Sequence, residues 1–175
     1  MRPVLLAVLV ASLVGMVACS SSSPPANPRI TFTMAGTTVS ADPIQYCDVH
    51  EQHCTGDGAA PVVLNVPAGA SVQVTAPRSV SSTPWQVAAR FHGVKSGNDF
   101  ASCSPVFGPG KQSRYTVVPP AGDQLVLIEV YQSSAVLNKN PDGVFTTPVR
   151  GTWVLTNRTG NTSVLPQPGD NLCDD

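Results

Sequence analysis

The stretch Trp85-Gln86-Val87-Ala88-Ala89-Arg90-Phe91-His92 decides the fold class of this chain. Its large apolar side chains recur at every second position, which is the period of a β-strand and not of a helix. The segment therefore predicts a strand with a core face and a solvent face. The predicted core face carries Trp85, Val87, Ala89 and Phe91, and the predicted solvent face carries Gln86, Ala88, Arg90 and His92.

Similar patterns lie on both sides of this strand. Gln124–Gln132 is apolar on both faces except for Glu129, which indicates a central strand of a sheet. The turn sequence Asn140-Pro141-Asp142-Gly143 predicts a hairpin that returns through Val144–Pro148. Further predicted strands are Ile30–Met34, Thr37–Ser40, Pro61–Val66, Ser71–Ala76, Arg114–Val118 and Val149–Thr156, and a tight turn is expected between the third and fourth of these.

Composition agrees with a protein of strands and turns. Charged residues make up only 12% of the 175 residues, and the chain contains 17 Pro and 14 Gly. Helical surfaces are usually rich in Glu, Lys and Arg and poor in Pro, so the composition disfavours a helical fold. We expect one all-β domain, an antiparallel immunoglobulin-like β-sandwich of about 7–9 strands. The Cys…Trp…Cys pattern of antibody domains is absent, so the comparison concerns architecture only.

The N-terminus has the pattern of a bacterial lipoprotein export signal. Arg2 precedes an apolar run from Val4 to Ala18, which is shorter than the roughly 18–20 residues that span a bilayer. Cys19 follows, and then a stretch rich in Ser and Pro. We expect removal of residues 1–18, lipidation of Cys19 and a flexible tether over 19–29 that holds the protein at the outer face of the cytoplasmic membrane. The alternative is an ordinary secretory signal with an incidental cysteine.

The remaining four cysteines are an even number, as expected of an exported protein in an oxidising compartment. Four cysteines allow three pairings. The short separation of Cys47 and Cys54 favours a local bridge, which leaves Cys103 to pair with Cys173. We therefore expect the disulfides Cys47–Cys54 and Cys103–Cys173, with the second tying a C-terminal tail, residues 158–175, to a β-sandwich domain over residues 30–157.

The densest polar cluster lies between Cys47 and Cys54. His50 and His53 are three residues apart with Glu51 between them, and on a helical turn their imidazoles could share one metal ion. A disulfide between the two cysteines removes their sulfur atoms as ligands and leaves the histidines on the solvated rim of a loop. His50 and His53 are thus the candidate metal ligands, but we expect no cofactor.

The sequence contains no recognisable catalytic motif. It lacks Gly-x-Ser-x-Gly, and its only glutamates, Glu51 and Glu129, suggest no acid–base pair. The 10 Lys and Arg residues and 11 Asp and Glu residues give a formal net charge of −1 without a basic stripe, which disfavours nucleic acid as a partner. We expect a monomeric protein that is not an enzyme.

Two functions suit a tethered β-sandwich. The first is an interaction or structural module that engages another envelope protein or a wall component. The second is a carrier of an apolar ligand, such as an envelope lipid, in a cavity between the sheets. We favour the first because a chain with 6% aromatic residues barely fills one close-packed core. A ligand cavity would be lined by Trp85, Phe91, Phe107, Tyr115 and Trp153.

Four segments, in this order along the chain, resemble a family of actinobacterial lipoproteins known as domain of unknown function 2771. They are Asp42–Asp48, Pro84–Val87, Ser104–Gly110 and Arg150–Leu155. The resemblance extends from the signal to about Thr156, and the tail that follows looks like an addition to the family's usual endpoint. The resemblance implies a location in the cell envelope and no particular activity.

Overall fold

The computed structural model describes residues 27–50, 52–134, 138–139, 145–158 and 172–173. The predicted signal, Cys19, the tether up to residue 26 and the predicted turn at 140–143 lie outside the described residues. So does most of the predicted C-terminal tail.

The described residues form thirteen strands and one helical turn. The helical turn, α1, is Arg78–Ser81. The strands are β1 (Ile30–Met34), β2 (Thr37–Ala41), β3 (Gln45–Cys47), β4 (Cys54–Thr55), β5 (Val62–Leu64), β6 (Val72–Thr75), β7 (Trp85–His92), β8 (Asp99–Cys103), β9 (Arg114–Val117), β10 (Gln124–Ser133), β11 (Asn138–Lys139), β12 (Phe145–Thr146) and β13 (Val149–Asn157).

Eleven of these strands form two sheets that pack against each other as a β-sandwich. The smaller sheet has the order β2-β1-β6-β9, and the larger has the order β4-β3-β13-β10-β7-β8 with β5 beside β13. All pairs in the two sheets are antiparallel except β5 with β13. The predicted all-β antiparallel sandwich is confirmed. It has more strands than expected because β3, β4 and β8 were not predicted; β3 and β4 span only two or three residues, too few to show a period in the sequence.

The positions of β7 and β10, the two strands with the clearest sequence patterns, agree with the predictions. β7 has the predicted bounds, and its core-face residues Trp85 and Phe91 are buried. β10 lies between β7 and β13, which confirms the central position predicted from its apolar faces. One difference is Ala88, which was expected on the solvent face of β7 and is fully buried.

The predicted turn between Pro61–Val66 and Ser71–Ala76 is present, with the Ala70 N–H donating to the Pro67 carbonyl at 3.0 Å. The strands it joins do not pair with each other, however. β5 lies beside β13 in the larger sheet, and β6 lies between β1 and β9 in the smaller sheet. The turn therefore carries the chain from one sheet to the other. Alternation of side chains determines the faces of a strand but not its partner.

The core lies between the sheets and is centred on large side chains from both of them. Phe32 on β1, Trp85 on β7 and Trp153 on β13 are all fully buried. Gly151 leaves room for this packing, because a Cβ atom there would lie 2.7 Å from Cη2 of Trp153. The Trp153 indole N–H also donates to the Pro28 carbonyl at 2.8 Å. The end of the predicted tether is thus held against the domain.

Both predicted disulfides are present. Cys47–Cys54 joins β3 to β4, and Cys103–Cys173 joins the end of β8 to the C-terminal residues. The first closes a local loop, whereas the second spans a sequence separation of 70 residues. The pairing expected from the cysteine spacing is confirmed.

Candidate functional site

The five aromatic residues expected to line a ligand cavity pack in the core or against one another. Trp85, Phe91 and Trp153 are at most 2% exposed. The Trp85 and Phe107 ring centroids are 4.7 Å apart, and those of Phe107 and Tyr115 are 5.5 Å apart. These rings contact each other directly, as side chains that fill a core do.

The loop between Cys47 and Cys54 is organised by Asp48. One Asp48 carboxylate oxygen accepts hydrogen bonds from the backbone N–H groups of His50 and Gln52, at 2.9 and 3.0 Å. The other oxygen lies 2.9 Å from Nδ1 of His53. The bond from His53, followed by that from Gln52, lowers the pKa of Asp48 to about 2.

This loop brings together only part of the predicted metal site. The His53 ring bonds to a carboxylate, and its side chain is 84% exposed. Among the described residues no group of three or more His, Cys, Asp or Glu side chains could hold a metal ion. The contacts of Asp48 are those of a carboxylate that stabilises a tight loop.

An open cleft of about 590 Å³ lies where the end of β6 meets α1 and the loop that leads to β9. Its walls come from two parts of the chain that are about thirty residues apart in sequence. The lining residues are Ala76, Arg78, Ser81, Ser82, Pro109, Gly110 and Ser113.

Buried side chains and hydrogen bonds hold the helical turn α1, which forms one wall of the cleft, in position. Pro77, with φ of −66°, precedes the first residue of the helical turn and directs the chain into it. Val80 is fully buried. The Gln132 side chain, which is also fully buried, donates to the Ser79 carbonyl at 3.0 Å and to the Thr83 hydroxyl at 2.7 Å. A single helical turn is unstable alone, so these tertiary contacts maintain it.

The opposite wall is tied to α1 and to the core by three backbone groups. Gly110, with φ of +68°, turns the chain so that its N–H donates to the Ser81 carbonyl at 2.7 Å. The Trp85 indole N–H donates to the Gln112 carbonyl at 2.9 Å. The Ser113 carbonyl accepts from the Ala76 N–H at 2.9 Å. Because both walls are fixed in this way, the cleft is preformed.

One cationic side chain lines the cleft, and two more cationic residues adjoin its lining residues in sequence. Arg78 lines it, and Lys111 and Arg114 belong to the opposite wall and the start of β9. Neither segment 76–82 nor segment 104–117 contains an Asp or Glu. The ion pairs Arg29–Asp42, His53–Asp48 and His92–Asp99 in the described residues involve none of these three cations.

The chemistry of the lining favours binding of an anion. A guanidinium and serine hydroxyls are donors that suit carboxylate and phosphate oxygens. The seven lining residues include no His, Cys, Asp or Glu that could act as a general acid, a general base or a thiol nucleophile.

The sequence did not indicate this cleft. The pattern around Pro77 predicted only the end of a strand, and Arg78 and Lys111 are separated by more than thirty residues. A possible signal was the lack of acidic residues from Ser104 to Val117, a segment that carries two cations. Only the hydrogen bonds between the two walls bring these residues together.

Among the described residues, no helix combines the length and apolar character of a membrane span.

No curated protein and no solved structure matches the chain. A family model described as "Protein of unknown function (DUF2771)" matches residues 23–158. All four segments that suggested this family lie within the match. The match ends one residue after β13, and it covers most of the chain. The chain therefore belongs to the DUF2771 family of proteins of unknown function.

Proposed function

We propose that the protein is a membrane-anchored, non-catalytic interaction module of the cell envelope that binds an anionic group of another envelope component in the cleft. The observation that carries this proposal is the preformed cleft lined by Arg78 and three serines, with no acidic residue in the sequence of either wall. Lys111 and Arg114 directly follow the lining residues Gly110 and Ser113 in sequence. The bound group is a carboxylate or phosphate carried by a neighbouring protein or by a wall polymer.

Two further observations support this function. The aromatic residues that would line a lipid cavity are instead packed against one another in the core, which favours an interaction module over a carrier. The two disulfides are typical of proteins that fold in an oxidising compartment.

Binding at the cleft is tested with inorganic phosphate as the probe, at constant ionic strength. We expect the backbone amide resonances of Ser82, Gly110 and Ser113 to shift on titration. Arg78→Gln removes a charge-assisted hydrogen bond and weakens binding about tenfold. The matched control is Lys95→Gln, which removes the same charge at the opposite end of β7 and leaves binding unchanged. Equal effects of the two substitutions, or amide shifts confined to other regions, contradict the proposal.

Anchoring is tested separately with Cys19→Ala in the full chain. We expect the variant to be exported and folded but lost from the membrane fraction, because two or three acyl chains on Cys19 are what retain it. Fractionation followed by immunoblotting measures retention, and circular dichroism of the released protein measures folding. A variant that remains in the membrane fraction shows that the anchor lies elsewhere.

A further inference from the structure

β9 is the strand at one edge of the smaller sheet, and among the described residues it pairs only with β6. The Ser113 carbonyl, just before β9, accepts from the Ala76 N–H at 2.9 Å. In an antiparallel pair, successive residues direct their backbone groups alternately toward the partner strand and away from it. The residues whose N–H and carbonyl groups point away from β6 are therefore Arg114, Thr116 and Val118.

The Gln112 side chain confirms the direction of one of these groups. Its amide donates to the Arg114 carbonyl, at the position where the N–H of a further strand would lie. In the described part of the chain, Thr116 takes part in no hydrogen bond outside the pairing of β9 with β6. Such an edge can accept an extended peptide as an additional strand.

Charge distinguishes β9 from the strands at the other ends of the two sheets, which are β2, β4 and β8. Asp42 directly follows β2, Asp57 lies shortly after β4, and Asp99 begins β8. β9 instead begins with the exposed Arg114, and segment 104–122 contains no Asp or Glu. Of these four edges, β9 is therefore the one that suits an anionic peptide.

The cleft determines the direction of the added strand. Ser113 lines the cleft and directly precedes Arg114, so the start of β9 adjoins the cleft. A peptide antiparallel to β9 has its C-terminus at this end, about 5 Å from the β9 backbone. Its terminal carboxylate then lies beside the cleft, where the guanidinium of Arg78 is a suitable donor.

The far end of the same edge favours an apolar side chain. Val118 directly follows β9, and its side chain is 65% exposed. Residues directly opposite each other in an antiparallel pair carry their side chains on the same face. The peptide residue opposite Val118 lies four positions before the one opposite Arg114. An apolar residue at that position of the peptide would cover Val118.

We propose that β9 binds the extended C-terminal segment of another envelope protein as an antiparallel strand, with the terminal carboxylate of that segment in the cleft. This inference rests on the proposed function and narrows it, because the partner is then a protein and the anionic group is its C-terminal carboxylate. Main-chain hydrogen bonds to the edge of β9 supply affinity, and the cleft selects a free C-terminus.

The inference is tested with a fluorescein-labelled peptide of about six alternating Thr and Val residues, the length of an average strand. Fluorescence anisotropy measures its binding to the full chain at constant ionic strength. We expect the peptide with a free C-terminal carboxylate to bind about tenfold more tightly than the same peptide with a C-terminal amide. N-methylation of every second residue abolishes binding in one phase, whose N–H groups face β9, and leaves binding unchanged in the other phase.

Substitutions at two matched edge positions test the same contact from the protein side. Thr116→Pro removes the N–H that points away from β6 and leaves the pairing with β6 intact. We expect it to weaken peptide binding about tenfold without changing the phosphate titration. The control is Thr38→Pro on β2. The Arg29 side chain donates to the Ser40 carbonyl at 3.0 Å, so the backbone groups of Ser40 and Thr38 point away from β1, and peptide binding should be unchanged.

The outcomes separate this inference from the proposed function. Phosphate binding without peptide binding overturns the inference and leaves the proposed function in place, whereas absence of both contradicts the proposed function itself. Equal affinity for the free-acid and amide peptides excludes the carboxylate from the cleft, and equal effects of the two N-methylation phases exclude strand addition. Self-association of the chain that Thr116→Pro abolishes and Thr38→Pro does not, measured by analytical ultracentrifugation, assigns the edge to a second copy.

Discussion

Replacing Trp85 by alanine lowers the free energy of unfolding by about 3–5 kcal/mol. The side chain is fully buried, and its ring packs against Phe107 with the centroids 4.7 Å apart. Truncation at this position removes a large apolar surface and leaves a cavity between the sheets, so two costs add. Because domains of this size are stable by about 5–15 kcal/mol, the variant lies near the limit of folding. Urea denaturation followed by circular dichroism measures the loss.

The matched substitution Trp85→Phe separates packing from hydrogen bonding. Phenylalanine keeps an aromatic ring beside Phe107 but removes the indole N–H that donates to the Gln112 carbonyl. Gln112 is exposed, so water can satisfy its carbonyl, and we expect a loss less than half of that in Trp85→Ala. A similar loss in both variants would assign the effect to the hydrogen bond, and an unchanged stability in Trp85→Ala would exclude Trp85 from the core.

Replacing Cys173 by serine lowers the free energy of unfolding by up to about 4 kcal/mol. The Cys103–Cys173 bridge spans a sequence separation of 70 residues, and closing so long a loop removes much of the entropy of the unfolded chain.

The double variant Cys103→Ser/Cys173→Ser provides the control. It breaks the same single bond and leaves no free thiol to form a wrong pair, so its stability should equal that of Cys173→Ser. Cys54→Ser opens the short loop at β3 and β4 and should cost about 2 kcal/mol. Urea denaturation measures each loss, and a loss in the Cys173 variant no larger than that in Cys54→Ser would contradict the dependence on loop length.

Features that depend on neighbours in the chain could be predicted from the sequence. The period of two in Trp85–His92 determined both the bounds of β7 and its core face. Apolar side chains on both faces of Gln124–Gln132, interrupted by Glu129, identified β10 as central, because a strand that is apolar on both faces is covered on both. Cysteine spacing identified both bridges, since a loop as short as Cys47–Cys54 closes at little entropic cost.

Features that depend on contacts between distant segments could not be predicted in this way. Alternation does not identify the partner of a strand, so the sequence could not show that β5 and β6 belong to different sheets. Ala88 was expected to be exposed to solvent but is buried. The alternation of side chains along β7 shows which face a residue lies on, but not whether another part of the protein covers that face. The candidate site shows the same limit, since Arg78 and Gly110 become neighbours only through bonds between α1 and the loop before β9.

The sequence by itself thus determined the fold class, the strand faces and the disulfides of this protein, because periodicity and loop closure are local properties of a chain. Only the tertiary structure decided the strand order, the position of the cleft between α1 and the loop before β9, and the burial of Ala88. Each of these follows from long-range backbone pairing, whose free energy depends on segments that meet only after folding.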